Sequence, residues 1–223
     1  MSNEAEELFE YFCADIGVGC DRVPTASAIG ERRPDFQVRG CDGTAFFAEV
    51  KQVVPNAEEV EQIRQMRAGK VGSFRTEPGA KVRGYIAKAN GQLRGATRGE
   101  HPGLLVILNK DWFLRHHTEP YAILTAMRGL DVIPVLVPSE PHLSPEFQTV
   151  RSGPKKRMTS DDNTSISAVL TLRQGADVQW AGDVFHNRFA ACPLPFSALV
   201  GPCVKHYIIR ADERGWDLGE LAV

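Results

Sequence analysis

Pro34-Asp35 and, after a gap of thirteen residues, Glu49-Val50-Lys51 are the residues of this 223-residue chain whose types and spacing could do chemistry. In a strand, side chains at i and i+2 point the same way, so Glu49 and Lys51 share one face. Val50, Ala48 and Phe46 then point to the other face, into a core. Asp35–Arg39 alternates polar residues with Phe36 and Val38, and Cys41-Asp42-Gly43 supplies the turn chemistry of a short hairpin. Folding that strand back on Thr44–Val54 sets Asp35 near Glu49. Two carboxylates and one ammonium then lie on one sheet surface. Phosphodiester hydrolysis uses such a set. Two carboxylates can hold Mg²⁺ while leaving room for waters and substrate oxygens. The metal polarises the phosphoryl oxygen and lowers the pKa of a bound water. An adjacent lysine can orient that water and offset negative charge growing on phosphorus. Pro34, which lacks an N–H, suits the start of a strand.

The flanking segments read as the elements needed to position these groups. Glu4–Ile16 is predicted helical, with Leu8, Phe9, Phe12 and Ile16 on one face and Gly17 to end it. A short strand over Val18–Val23 and a loop from Pro24 to Arg33 follow. After the hairpin, Pro55–Lys70 is a charged helix in which Asn56 and Glu59 have the spacing of a capping box. Its narrow apolar stripe is Ala57, Val60, Ile63 and Met66. A second helix, Glu77–Leu93, carries Val82, Ile86, Ala89 and Leu93 at i, i+4, i+7 and i+11. A buried strand at Leu104–Asn109, a helix at Pro120–Arg128 and an apolar strand at Val132–Val137 complete an alternation that implies an α/β layered fold. Strands are also expected at Ile166–Leu172 and Lys205–Arg210.

The string PDF…AEVK in this setting resembles the PD-(D/E)xK nuclease superfamily, with its restriction-endonuclease-like fold. The leading acidic helix, the hairpin, the crossover helix and the buried strand are similar to that family's αβββαβ core over roughly residues 4–137. The resemblance implies a mixed central sheet flanked by helices, a Mg²⁺ cofactor with Mn²⁺ as substitute, and DNA endonuclease activity leaving 5′-phosphate ends. It implies Asp35 and Glu49 as metal ligands and Lys51 as the water-orienting residue. The family often adds an acidic residue from the first helix. Glu7 and Glu10 point nearly opposite to the apolar stripe, whereas Glu6 lies at its border, and its distance before Gly17 is similar to the family's pattern. Glu6 is therefore the expected third ligand. An acidic first turn favoured by the helix dipole explains the other glutamates.

Lys81, Tyr85, Lys88 and Gln92 form a second stripe on the crossover helix, one residue ahead of the apolar one. Two cations, an aromatic ring and an amide suit phosphate and base contacts, and related nucleases often place a Lys or Gln here. The alternative is a solvated shoulder whose stems pack on the sheet. His116-His117 has no companion ligand at zinc spacing and reads as an exposed helix start. His186-Asn187 lacks the second histidine of an HNH pattern and reads as a structural turn, the alternative being a ligand or active-site rim. Lys155-Lys156-Arg157 reads as a solvated loop, or as a clamp on a phosphate backbone. The five cysteines show no CxxC or zinc spacing and read as reduced, mostly buried thiols.

Composition sets the outer bounds. Apolar residues make up 43% of the chain and charged residues 24%, with a net charge of −2, which excludes a disordered tail and a polycation. The longest uncharged stretch, Phe189–Val204, holds Pro193, Pro195 and Pro202 and cannot be a spanning helix. The acidic residues 1–10 do not look like a leader, so no membrane partner and a cytoplasmic location are expected. The expected organisation is a nuclease-like core over 1–138, a mobile loop or insertion over 139–165, and a C-terminal extension over 166–223 packed on the same domain. A homodimer is compatible with the family. The rival readings are a catalytically inactive nucleic-acid-binding module that keeps the fold, and a scaffold protein in which the acidic pair is incidental.

Overall fold

The computed structural model describes residues 4–24, 32–73, 77–140, 142–148, 151–174, 180–212 and 215–221. The elements are α1 (Glu4–Asp15), β1 (Gly19–Arg22), β2 (Phe36–Arg39), β3 (Ala45–Gln52), α2 (Ala57–Arg67), α3 (Ala80–Thr97), β4 (Gly103–Asn109), a 3-10 helix (Trp112–His117) and α4 (Pro120–Arg128). Next come the two-residue strands β5 (Asp131–Val132), β6 (Val135–Leu136), β7 (Glu146–Phe147) and β8 (Arg151–Ser152). The chain closes with β9 (Ala168–Gln174), β10 (Trp180–His186), β11 (Val204–Asp212) and β12 (Gly215–Leu221). Most of the loop expected over 24–33 lies outside the described residues.

Eight strands form one mixed sheet in the order β1-β2-β3-β4-β9-β10-β11-β12. β1, β2 and β3 run antiparallel in sequence, and β3, β4 and β9 are mutually parallel. The central strand β4, GLLVILN, is buried along its whole length, as a continuous apolar run covered on both faces must be. Leu104, Val106 and Leu108 face α1, together with Phe36, Phe46, Ala48 and Val50. Leu105 and Ile107 face α3 and α4, against Val82, Ile86, Ala89, Leu93, Ile123 and Met127. The molecule is therefore α/β, a mixed sheet with helices on both faces. Among the described residues no helix is long and apolar enough to cross a membrane.

Several elements depart from expectation. The buried face of α1 is Ala5, Phe9, Phe12 and Cys13, with Leu8 and Ile16 only partly covered. The small side chains of Ala5 and Cys13 let the helix lie close to the sheet, and the stripe rotates toward them. On α2, Val60 is exposed and Glu59 is buried in its place, because Glu59 finds the Lys81 ammonium and the His117 imidazole inward. The apolar run Val132–Val137 is no single strand. Pro134, which cannot donate to a ladder, separates β5 from β6, which pair with β8 and β7 in two small ladders. Within the segment expected as a loop, Met158 is buried and its N–H donates to the Met127 carbonyl at 3.0 Å. β10 and β12 answer to no sequence expectation. Together with β9 and β11 they continue the sheet that β1–β4 begin.

Candidate functional site

Asp35 sits just ahead of β2. The register pairs Phe36 with Ala48, which leaves Val50 opposite Pro34, past the end of the ladder. Odd-numbered N–H groups of β3 point toward β4, as Phe47 and Val53 do in donating to Pro102 and Leu108. The Val50 N–H therefore points to the β2 side, where Asp35 Oδ2 accepts it at 2.7 Å. A backbone donor thus fixes the Asp35 carboxylate beside β3.

Glu49 is 0% exposed. By the pleat of β3 it points to the face covered by α3, one residue away from the α1-facing Val50. Lys51 Nζ donates to its Oε1, and Oε2 is buried with no hydrogen-bond partner. Burial pushes the Glu49 carboxyl up to about 7. The nearby Asp35 charge adds to that rise, and Lys51 and then the Gln92 amide oppose it. A buried carboxylate held so far above its ordinary value, with one oxygen unmet, is poised for a cation. The expected trio Asp35, Glu49 and Lys51 does come together on one surface of the β2–β3 hairpin.

Glu6 is placed elsewhere. Its Oε2 accepts from Arg22 Nη1 at 2.8 Å, on the α1 side of the sheet. Arg22 also donates to both oxygens of Glu10, at 2.6 and 2.7 Å, and lies over the Phe36 ring. Glu4 is paired with Lys110. Cations on the edge strand β1 and just after the central strand β4 thus hold the acidic first helix to the sheet.

Three residues of the α3 stripe bond to backbone carbonyls at or near the β2–β3 hairpin, and the fourth does not. Tyr85 Oη donates to the Gln52 carbonyl at 3.0 Å, Lys81 Nζ to the Val54 carbonyl at 2.8 Å, and Gln92 Nε2 to the Arg33 carbonyl at 3.4 Å. Gln92 lies near the carboxylates, Lys81 and Tyr85 at the far end of β3, and Lys88 is exposed.

A second polar cluster escaped sequence reasoning. Glu59, at the third position of α2, accepts the Asn56 N–H at 2.7 Å and the Lys81 ammonium at 2.6 Å on Oε2. His117 Nε2 donates to its Oε1 at 2.6 Å. Against burial that raises it, the Lys81 ammonium, the Asn56 N–H and the His117 N–H hold the Glu59 carboxyl down to about 2. His117 is 6% exposed, so the dihistidine is not an exposed helix start. Only the capping-box spacing hinted at Glu59; nothing local links it to a histidine 58 positions away. His186 and His206 also pair, Nε2 to Nδ1 at 2.8 Å. Asn187 forms a turn, its Oδ1 accepting from the Phe189 N–H at 3.0 Å. A cavity of about 390 Å³ at the end of α3, among Asn90, Arg94, Asp162 and Ser165, is not lined by the carboxylates of the hairpin.

Comparison of the chain with family models, curated proteins and solved structures finds no match.

Proposed function

We propose that the chain is a divalent-metal-dependent nuclease of restriction-endonuclease-like architecture, a hydrolase that cuts phosphodiester bonds in DNA. The observation that carries this reading is the meeting of Asp35 and Glu49 at the head of the β2–β3 hairpin, with Lys51 on Glu49 and one buried Glu49 oxygen unmet. The order α1-β1-β2-β3-α2-α3-β4, with β3 parallel to β4, supports it as well.

The donor set fits a hard divalent cation, since two carboxylates converge and the buried one is costly to ionise alone. Asp35 and Glu49 would hold Mg²⁺ or Mn²⁺. When bound, the ion supplies Lewis acidity and a water of lowered pKa. The chain's own groups do the rest. Val50 N–H orients Asp35, and burial keeps bulk water from Glu49. Lys51, whose ammonium donates to Glu49 Oε1, would be the group placed to orient a water or to offset charge growing on phosphorus. Gln92 flanks the same carboxylate from α3.

The test is cleavage of a panel of labelled DNA and RNA structures with Mg²⁺ or Mn²⁺. Asp35→Ala, Glu49→Ala and Lys51→Ala should each abolish cutting while circular dichroism stays that of the parent. Full Mg²⁺-dependent activity in Glu49→Ala would sink the proposal. Salt-sensitive DNA binding with no cleavage in the parent would instead favour a non-catalytic binding module.

A further inference from the structure

We propose that Glu59, His116 and His117 form a second cation site, suited to a transition metal of the Zn²⁺ class and separate from the carboxylates of the β2–β3 hairpin. One ligand atom from each of the three residues lies within 4.8 Å of the other two, and among the described residues no other such group of three is found. Two elements distant in sequence build it. Asn56 accepts from the Glu59 N–H at 2.9 Å, setting Glu59 in the first turn of α2. Asp111 caps the 3-10 helix by accepting the Phe113 N–H at 3.0 Å, and buried Leu114 anchors that helix, so both imidazoles are carried to Glu59. The His116 and His117 rings lie 4.0 Å apart.

The chemistry selects the ion. Two imidazoles and one carboxylate are a three-ligand zinc set that leaves a fourth position to water. Imidazole nitrogen favours Zn²⁺ and its neighbours over Mg²⁺. The Asn56 N–H and Lys81 both engage Glu59 Oε2, which turns Oε1 toward His117. Donors on the outer oxygen are the kind of support that orients a metal-binding carboxylate. Binding replaces the His117 Nε2–H···Oε1 hydrogen bond with two bonds to the metal. The imidazole then keeps its single N–H on Nδ1. Lys81 already has the Val54 carbonyl as a second acceptor at 2.8 Å and need not stay on the carboxylate. From Glu49 on β3 to Val54, two residues past its end, is five residues of chain, roughly 16 Å at 3.3 Å per extended residue. One ion cannot serve both sites. The metal would clip α2 to the 3-10 helix beyond the C-terminal ends of β3 and β4.

The experiment is a titration of the full chain with Zn²⁺ and, for its visible spectrum, Co²⁺. The parent should bind one more equivalent of Zn²⁺ than His116→Ala does. It should also show the ligand-field bands of low-coordinate Co²⁺, which His116→Ala lacks, and it should melt higher with Zn²⁺. Mg²⁺ should reproduce none of these effects. His116 is less buried than His117, and the folded state of its variant is checked by circular dichroism. Equal Zn²⁺ stoichiometry in parent and His116→Ala, or no saturable Zn²⁺ binding by the parent, overturns the proposal. Glu49→Ala should keep the extra equivalent, so this outcome and the fate of the nuclease reading are read separately.

Discussion

Glu49 concentrates the conflict on which the candidate site depends. Burial first, and the Asp35 charge second, push its carboxyl up to about 7 from the ordinary 4.5. A carboxyl whose folded pKa is raised binds its proton more tightly in the folded state than in the unfolded one. Its stabilising effect is complete below the unfolded value and is lost as pH climbs through the folded value. Metal-free protein should therefore lose stability between about pH 4.5 and pH 7. Glu49→Gln should flatten that window, which melting curves at several pH values will show. Added Mg²⁺ should raise the melting temperature at pH 8, where the charged pair needs a cation, and do little at pH 5. An equal Mg²⁺ effect at both pH values would detach metal binding from Glu49.

At the scale of elements, stability rests on a few local devices. Asn56 and Glu59 cap each other reciprocally at the start of α2, and Asn56→Ala should cost about 1 kcal/mol in urea unfolding. Gly79 begins α3 with φ of 73°, and a Cβ there would lie 2.6 Å from the Ala122 carbonyl oxygen and 2.8 Å from Ala126 N. Gly79→Ala meets both a left-handed backbone and the first turns of α4, so its cost should exceed about 1 kcal/mol. A smaller loss would mean that α3 and α4 separate easily. Features of this short range were legible in the sequence: the β2–β3 hairpin, the α2 capping box, the α3 stripe and the apolar run of β4. Each is written within one or two turns of chain. The trio Asp35, Glu49 and Lys51 was legible for the same reason, since a hairpin and a two-residue period place it. β10 was hidden because Asp183 interrupts its apolar pattern and is buried against Arg173 at 2.5 Å, a pairing only the folded sheet supplies. The destination of Glu6 was hidden too, because Arg22 competes for it from a neighbouring strand. Glu59 and His117 meet only after β3, α2, α3 and β4 have been laid down.

Over the whole molecule, the net charge of −2 is the sum of opposed blocks. Residues 1–61 hold 13 acids and 5 bases, and residues 62–99 hold 9 bases and one acid. The described part of the basic block is largely α2 and α3, on the sheet face that carries Glu49, whereas α1 with its glutamates lies across the sheet. At 0.1 M salt the screening length is about 10 Å, so a strand of nucleic acid, if one lay along α3, would feel the near block far more than the distant one. Several of the cations are spent internally: Arg64 on Glu61, Lys81 on Glu59, Arg83 on Glu77. Lys88, Arg94 and Arg98 are exposed on or just beyond α3 and make no ion pair among the described residues. If these three meet phosphates, the logarithm of duplex affinity should fall against the logarithm of salt with a slope of about −3, at roughly −0.9 per contact. Lys88→Ala, Arg94→Ala and Arg98→Ala should each make the slope shallower by about one unit. Fluorescence anisotropy on a labelled duplex with Ca²⁺ in place of Mg²⁺, to suppress cutting, measures this directly. A slope near zero, or one that the three substitutions leave unchanged, would rule out α3 as a phosphate-binding surface.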